Sequence, residues 1–232
     1  MNNNISNLEP KVLWKHFYSL TQIPRPSKKE GRIIEFAKNF GEKLGLKTIV
    51  DEVGNVIIKK PATPGMENRK GIILQGHLDM VPQKNSDKKH DFEKDPIEPI
   101  VEAEWVRANG TTLGADNGIG VASVMAILAA DKIAHGPLEG LFTATEETGM
   151  DGANGLEAGV LQGDILIKLD DQSKAYSLTK GVKWVQVSPE EEANTTAKMK
   201  PVLDTYVQKM KAKNLPGDET LKFCQEYIKT HP

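Results

Sequence analysis

Gly71-Ile-Ile-Leu-Gln-Gly-His-Leu-Asp-Met-Val-Pro82 runs from four apolar or small residues into a polar cluster. The pattern predicts a buried strand that ends by delivering His77 and Asp79 at its carboxyl end, where ligand sites of open α/β sheets collect. Side chains two apart on a strand share a face, so His77 and Asp79 can point into one pocket while Leu78 points into packing. An imidazole beside a carboxylate suits a first-row metal such as zinc, with the acid either binding the ion or holding the ring. Taken alone, the pair reads equally as a hydrogen-bonded histidine at a strand end.

Three further segments carry acids next to apolar or glycine-rich runs. Gly110-Thr-Thr-Leu-Gly-Ala-Asp-Asn-Gly-Ile-Gly120 leads into an apolar helix over 117–130. Leu138-Glu-Gly-Leu-Phe-Thr-Ala-Thr145 reads as a strand followed by Glu146-Glu147, and Asp164-Ile-Leu-Ile-Lys-Leu-Asp170 as another apolar run closed by a carboxylate. That recurrence suggests a site with more acids than one divalent ion needs. Paired ions sit roughly 3.5–4 Å apart and need a bridging anion. Asp116, in a glycine-flanked turn at a helix start, is the candidate bridge, and a helix cap is its other reading. Adjacent side chains cannot face one way, so Glu146 and Glu147 divide naturally into a proton acceptor and a metal ligand; by themselves they are also a solvated acidic turn.

His77-Leu-Asp79, Gly114-Ala-Asp-Asn-Gly118, Thr145-Glu-Glu-Thr-Gly-Met-Asp-Gly152 and the run to Asp170, in this order, resemble the metallopeptidase M20 family, in particular its aminoacyl-histidine dipeptidase (peptidase D) branch. Lys60-Pro-Ala-Thr-Pro-Gly-Met-Glu-Asn-Arg-Lys70 and His90-Asp-Phe-Glu-Lys-Asp-Pro96 look like that branch too, so the resemblance covers about residues 8–170. It implies zinc-dependent dipeptide hydrolysis, with histidine at the C-terminal position, at a site holding two zinc ions (Co2+ or Mn2+ as substitutes). By the same resemblance His77 and Asp170 bind one ion, Glu147 the other, Asp116 bridges them, Asp79 orients His77 and Glu146 is the general base. The partners it implies are a dipeptide and, as an option, a second copy of the chain. Members also carry a last histidine ligand and an inserted lid domain further along, and the sequence is expected to stop short of both.

The fold expected is α/β, a mixed sheet flanked by helices, over residues 1–178, followed by a helical hairpin over 179–232. Within the tail, Lys211-Ala-Lys-Asn-Leu-Pro-Gly217 and Leu221-Lys-Phe-Cys224 resemble the C-terminal end of the solute-binding receptors of TRAP dicarboxylate transporters. With the last histidine and the lid expected to be missing, a binding or interaction protein with an impaired site is the alternative function, and a remnant of a TRAP-type solute-binding protein is another. A periplasmic receptor would need a signal peptide, which Met1-Asn-Asn-Asn-Ile-Ser-Asn7 does not resemble.

Over 232 residues, 38% are hydrophobic and the formal net charge is -2, so no basic field favours nucleic acid or an anionic membrane. No run is apolar enough to span a bilayer, and the single cysteine, Cys224, allows no internal disulfide; together these point to the cytoplasm. Val12, Leu13, Phe17 and Leu20 predict a first helix closed by Pro24 and Pro26. Ser27 with Glu30 three residues on reads as a capping box opening a second, through Leu44 to Gly45. Leu46–Val50 and Asn55–Lys59 predict a hairpin, 83–100 a surface loop, Trp105–Ala108 a short strand and 150–156 a short helix. None of the residues before Lys60 is given a chemical role.

Overall fold

The computed structural model describes residues 5–103 and 105–169. The chain divides into two units, Met1–Ser177 and Leu178–Pro232, and the described residues belong to the first. The expected hairpin tail, and Asp170 with it, lie outside the described residues.

In chain order the elements are α1 (Lys11–Thr21), α2 (Gly31–Lys43), β1 (Lys47–Val50), β2 (Val56–Lys60), β3 (Ile72–His77), β4 (Pro99–Glu102), β5 (Trp105–Ala108), α3 (Ala115–Leu128), β6 (Leu138–Thr143), α4 (Asp151–Asn154) and β7 (Ile165–Lys168). Five strands form one sheet in the order β1-β2-β6-β3-β7. β1 with β2 and β2 with β6 pair antiparallel, whereas β6 with β3 and β3 with β7 pair parallel. The sheet is therefore mixed and flanked by helices, as expected. β4 and β5 pair separately as a short ribbon, so the loop expected over 83–100 ends in a strand at Pro99.

The continuous apolar runs of the central strands follow from burial on both faces. Val56, Ile58, Leu74 and Phe142 pack with Phe17, Leu20 and Ile33 of the first two helices and with Val121, Val124, Met125 and Leu128 of α3. Their neighbours in sequence, Ile57, Ile73 and Leu141, face the other way, beneath Leu156, Val160 and Leu161. α3 is apolar around most of its circumference because it lies between the sheet and α1.

Register decides where the chemistry falls. His77 at the end of β3 pairs with Thr143 at the end of β6, so both parallel strands finish side by side. The 77–79 and 145–147 segments consequently leave the sheet at one edge. The capping box does not form: α2 starts at Gly31, after Glu30, with no side-chain cap. Ser27 instead donates to Asp79 and Glu30 accepts from Thr145. Leaving a buried carboxylate or amide unpaired costs about 1–3 kcal/mol, more than an exposed helix cap returns.

Candidate metal centre

His77 is the last residue of β3 and is buried, as is Leu78 beside it. Its Nε2 lies 2.9 Å from Asp116 Oδ1, and its Nδ1 lies 3.3 Å from Asp79 Oδ1, an ion-pair contact too poorly aligned to be a good hydrogen bond. Burial pulls the His77 pKa down, but the Asp79 and Asp116 carboxylates more than offset it, raising it to about 9.

Asp79 is 0% exposed, and both of its oxygens accept hydrogen bonds. Oδ1 accepts the backbone N–H of Glu146 at 2.9 Å; Oδ2 accepts the N–H of Glu147 at 3.1 Å and the Ser27 hydroxyl at 2.7 Å. Burial would raise this carboxyl, yet the nearby His77 imidazole and the bonds from both amides and Ser27 hold it down at about 2. A permanently charged Asp79 thus fixes the imidazole from one side and the Glu146-Glu147 turn from the other.

Asp116 lies in the non-helical opening of α3. Gly114, at φ 69°, is the helix N-cap, and Asp116 itself is non-helical at φ -85° and ψ 113°, followed by a cis peptide to Asn117. Its carboxylate reaches His77 rather than a helix amide, so the cap reading of Asp116 is not the geometry found. The side chain is 69% exposed, which leaves its other oxygen open to the pocket.

Glu146 and Glu147 follow Thr145, which adopts φ 52°. That left-handed turn aims both following amides at Asp79. Glu146 Oε2 lies 4.0 Å from His77 Nε2. Burial raises the Glu147 carboxyl above its ordinary value; His77 opposes this, while Asp116, Glu146 and Asp79 add to it. So much negative charge at one point favours a bound cation.

The donor atoms of His77, Asp116 and Glu147 all lie within 4.8 Å of one another. One imidazole nitrogen and two carboxylate oxygens fit zinc or a similar divalent ion. Of the residues singled out from the sequence, the fold gathers His77, Asp79, Asp116, Glu146 and Glu147; Asp170 lies outside the described residues.

Four contributors escaped the sequence reading: Arg25, Ser27, Glu30 and Thr145. Arg25 is buried, with Nη1 donating to the carbonyls of Leu78 (2.8 Å) and Asp79 (3.0 Å) and Nη2 to that of Gly114 (2.5 Å). Glu30 Oε1 accepts both the backbone N–H (3.0 Å) and the hydroxyl (2.8 Å) of Thr145. The available signal was Ile23-Pro-Arg-Pro-Ser27, an arginine fixed between two prolines.

The model of peptidase family M20/M25/M40 matches residues 73–214. The match runs past residue 170 and lends no support to the transport-receptor resemblance of the tail. Over 172 residues the chain is 54% identical to the cytosol non-specific dipeptidase of Escherichia coli (strain K12), covering 74% of this chain and 36% of that protein. The crystal structure of aminoacylhistidine dipeptidase from Vibrio alginolyticus superposes with a TM-score of 0.71 at 55% identity, over 72% of this chain and 34% of that one. A tripeptidase from Staphylococcus aureus shares the fold, with a TM-score of 0.59 at 24% identity over 70% of this chain and 44% of that one. The chain thus spans about a third of the length of its two more similar relatives.

Proposed function

The chain belongs to peptidase family M20/M25/M40, and on that premise we propose that it carries the metal-binding and proton-transfer residues of a metallodipeptidase that hydrolyses dipeptides. What carries the reading is one convergence: the donor atoms of His77, Asp116 and Glu147 within 4.8 Å of one another, with Glu146 beside His77. His77 and Glu147 would each hold one ion and Asp116 would serve both, with Asp170, outside the described residues, as a further ligand beside His77 on the family resemblance. Zinc is the metal proposed, on the mixed nitrogen and oxygen donor set.

Bound there, the metal pair supplies Lewis acidity, polarising the scissile carbonyl and acidifying a water molecule. The remaining work belongs to the chain. Asp79 keeps the His77 ring oriented through Nδ1, leaving Nε2 to face the pocket. Through its hold on the two amides, Asp79 also fixes the turn that presents Glu146. The Glu146 carboxylate takes the proton from the attacking water and returns it to the departing amine. The names of the two similar proteins differ in breadth, one non-specific and one for aminoacylhistidine. Dipeptides are therefore the substrate class, those ending in histidine among them, and the cytosol is the proposed location.

The test is zinc content of the purified full chain, together with dipeptide hydrolysis on the same sample. Bound zinc with turnover supports the reading. Zinc without turnover removes the peptidase and leaves a metal-binding module. Failure to take up zinc at saturating concentration overturns both.

A further inference from the structure

Three segments, 77–79, 114–116 and 145–147, carry every proposed ligand and proton acceptor among the described residues. One loop before α2 grips all three: Arg25 the first and second, Ser27 the first and Glu30 the third. Of these three loop residues, only Arg25 joins two segments through one rigid group. We propose that Arg25 is the positioning residue of the metal centre: its guanidinium fixes the separation of the His77 and Asp116 segments and so sets how tightly the site holds a divalent cation. The inference rests on the assignment of His77 and Asp116 as ligands.

The argument begins with the cost. Arg25 is 2% exposed, and its guanidinium accepts burial in return for three backbone carbonyls. Burying a cation is expensive unless nearby charge compensates it, and the compensating charge here is Asp79, Asp116 and Glu147, the acids of the centre itself. Those acids keep Arg25 protonated at neutral pH, with a pKa lowered by burial only to about 10. Its backbone is tied to the same place, since the N–H of Met80 donates to the Arg25 carbonyl at 3.1 Å.

Geometry supplies the purpose. Leu78 directly follows His77, and Gly114 stands two residues before Asp116. A planar fork with fixed donor spacing bonds to both carbonyls, so the segments cannot slide apart without breaking it. The second segment is shaped around the fork. A Cβ at Gly114 would stand 2.6 Å from Nη2, and one at Gly118 would stand 2.8 Å from it. Gly114 also needs its positive φ, but Gly118 is an ordinary helical position where only this contact and Phe17 exclude a methyl group. A lysine offers one tetrahedral ammonium and cannot span both sides as the fork does.

Full-length parent, Arg25→Lys, Gly118→Ala and the core variant Leu128→Ala would be compared in zinc affinity, by competition with a chromophoric chelator, and in the visible spectrum of bound Co2+. Gly118→Ala retains the arginine but crowds its guanidinium and the Phe17 ring, so it carries the test if Arg25→Lys does not fold. Both site variants are expected to bind zinc about 10–100-fold more weakly and to shift the Co2+ bands. Leu128→Ala, at the far end of α3, is expected to lower the melting temperature while leaving zinc affinity within about twofold of the parent. Parent-like affinity and spectra in the site variants overturn the positioning role, as does an equal loss of affinity in Leu128→Ala. A parent chain that takes up no zinc overturns the ligand assignment instead, a separate result.

Discussion

Two buried carboxylates, Asp79 after β3 and Glu139 on β6, anchor their loops in the same way. Each accepts two consecutive backbone amides, Glu146 and Glu147 in the first case, Gln162 and Gly163 in the second. Each also faces a cationic side chain, His77 at 3.3 Å and Lys59 at 2.7 Å. The difference lies in the partner. Lys59 also donates to the Val160 carbonyl, so that network pins residues 160–163 to the sheet. His77 has a second ring nitrogen, and it points at Asp116 beside Glu146 and Glu147. A buried carboxylate becomes part of a candidate site when its partner still has a donor atom to offer.

Removing one charge from each region separates the two most strongly. Glu146→Gln is expected to reduce dipeptide turnover by about 10²–10⁴-fold with zinc content intact, because it removes only the proposed proton acceptor. Glu139→Gln is expected to leave turnover per folded molecule and zinc content unchanged and to lower stability by about 3–5 kcal/mol in denaturant titration, because Lys59 is left without its counter-charge. Turnover lost in Glu139→Gln, or retained in Glu146→Gln, breaks the comparison.

Asp79→Asn tests whether the anchor on the site side does more than anchor. An amide can still accept one backbone N–H, but it neither fixes the imidazole tautomer nor offsets a cation as a carboxylate does. Zinc affinity is expected to fall by about 10–100-fold. A stability loss with unchanged affinity would make Asp79 merely a second Glu139.

The last contrast is in pH dependence. The metal-free His77 is raised to about 9, so below that pH a cation must displace its proton. Zinc affinity measured by chelator competition is expected to rise by up to about tenfold per pH unit from neutrality and to level off near 9. In the metal-free chain the sign for stability is opposite: the contribution of charged His77 is complete below its ordinary value of 6.5 and fades as pH rises through about 9. Glu139 sharpens the contrast. Burial raises its carboxyl, but Lys59 and the two amides pull it below its ordinary value, so its contribution is lost only in acid.

Much of this was legible in advance. The apolar runs ending in acids marked strands closing at one edge, and the candidates His77, Asp79, Asp116, Glu146 and Glu147 do meet there. Ser27 and Glu30 were misread as a capping box, because that spacing is a local rule and both side chains are claimed by residues far along the chain. Arg25 was passed over for the same reason: nothing within its own loop needs a buried guanidinium.

Continuous apolar runs and the order of the acidic segments are properties of the chain itself, so sequence alone determined the α/β class, the central strands and the residues with chemistry to offer. Tertiary structure decided the rest: that β3 and β6 end in register, that Asp116 meets His77 instead of capping α3, and that one arginine spans two distant turns. These depend on which buried polar groups find each other across the fold, and burial makes an unmet partner too costly for local preference to prevail.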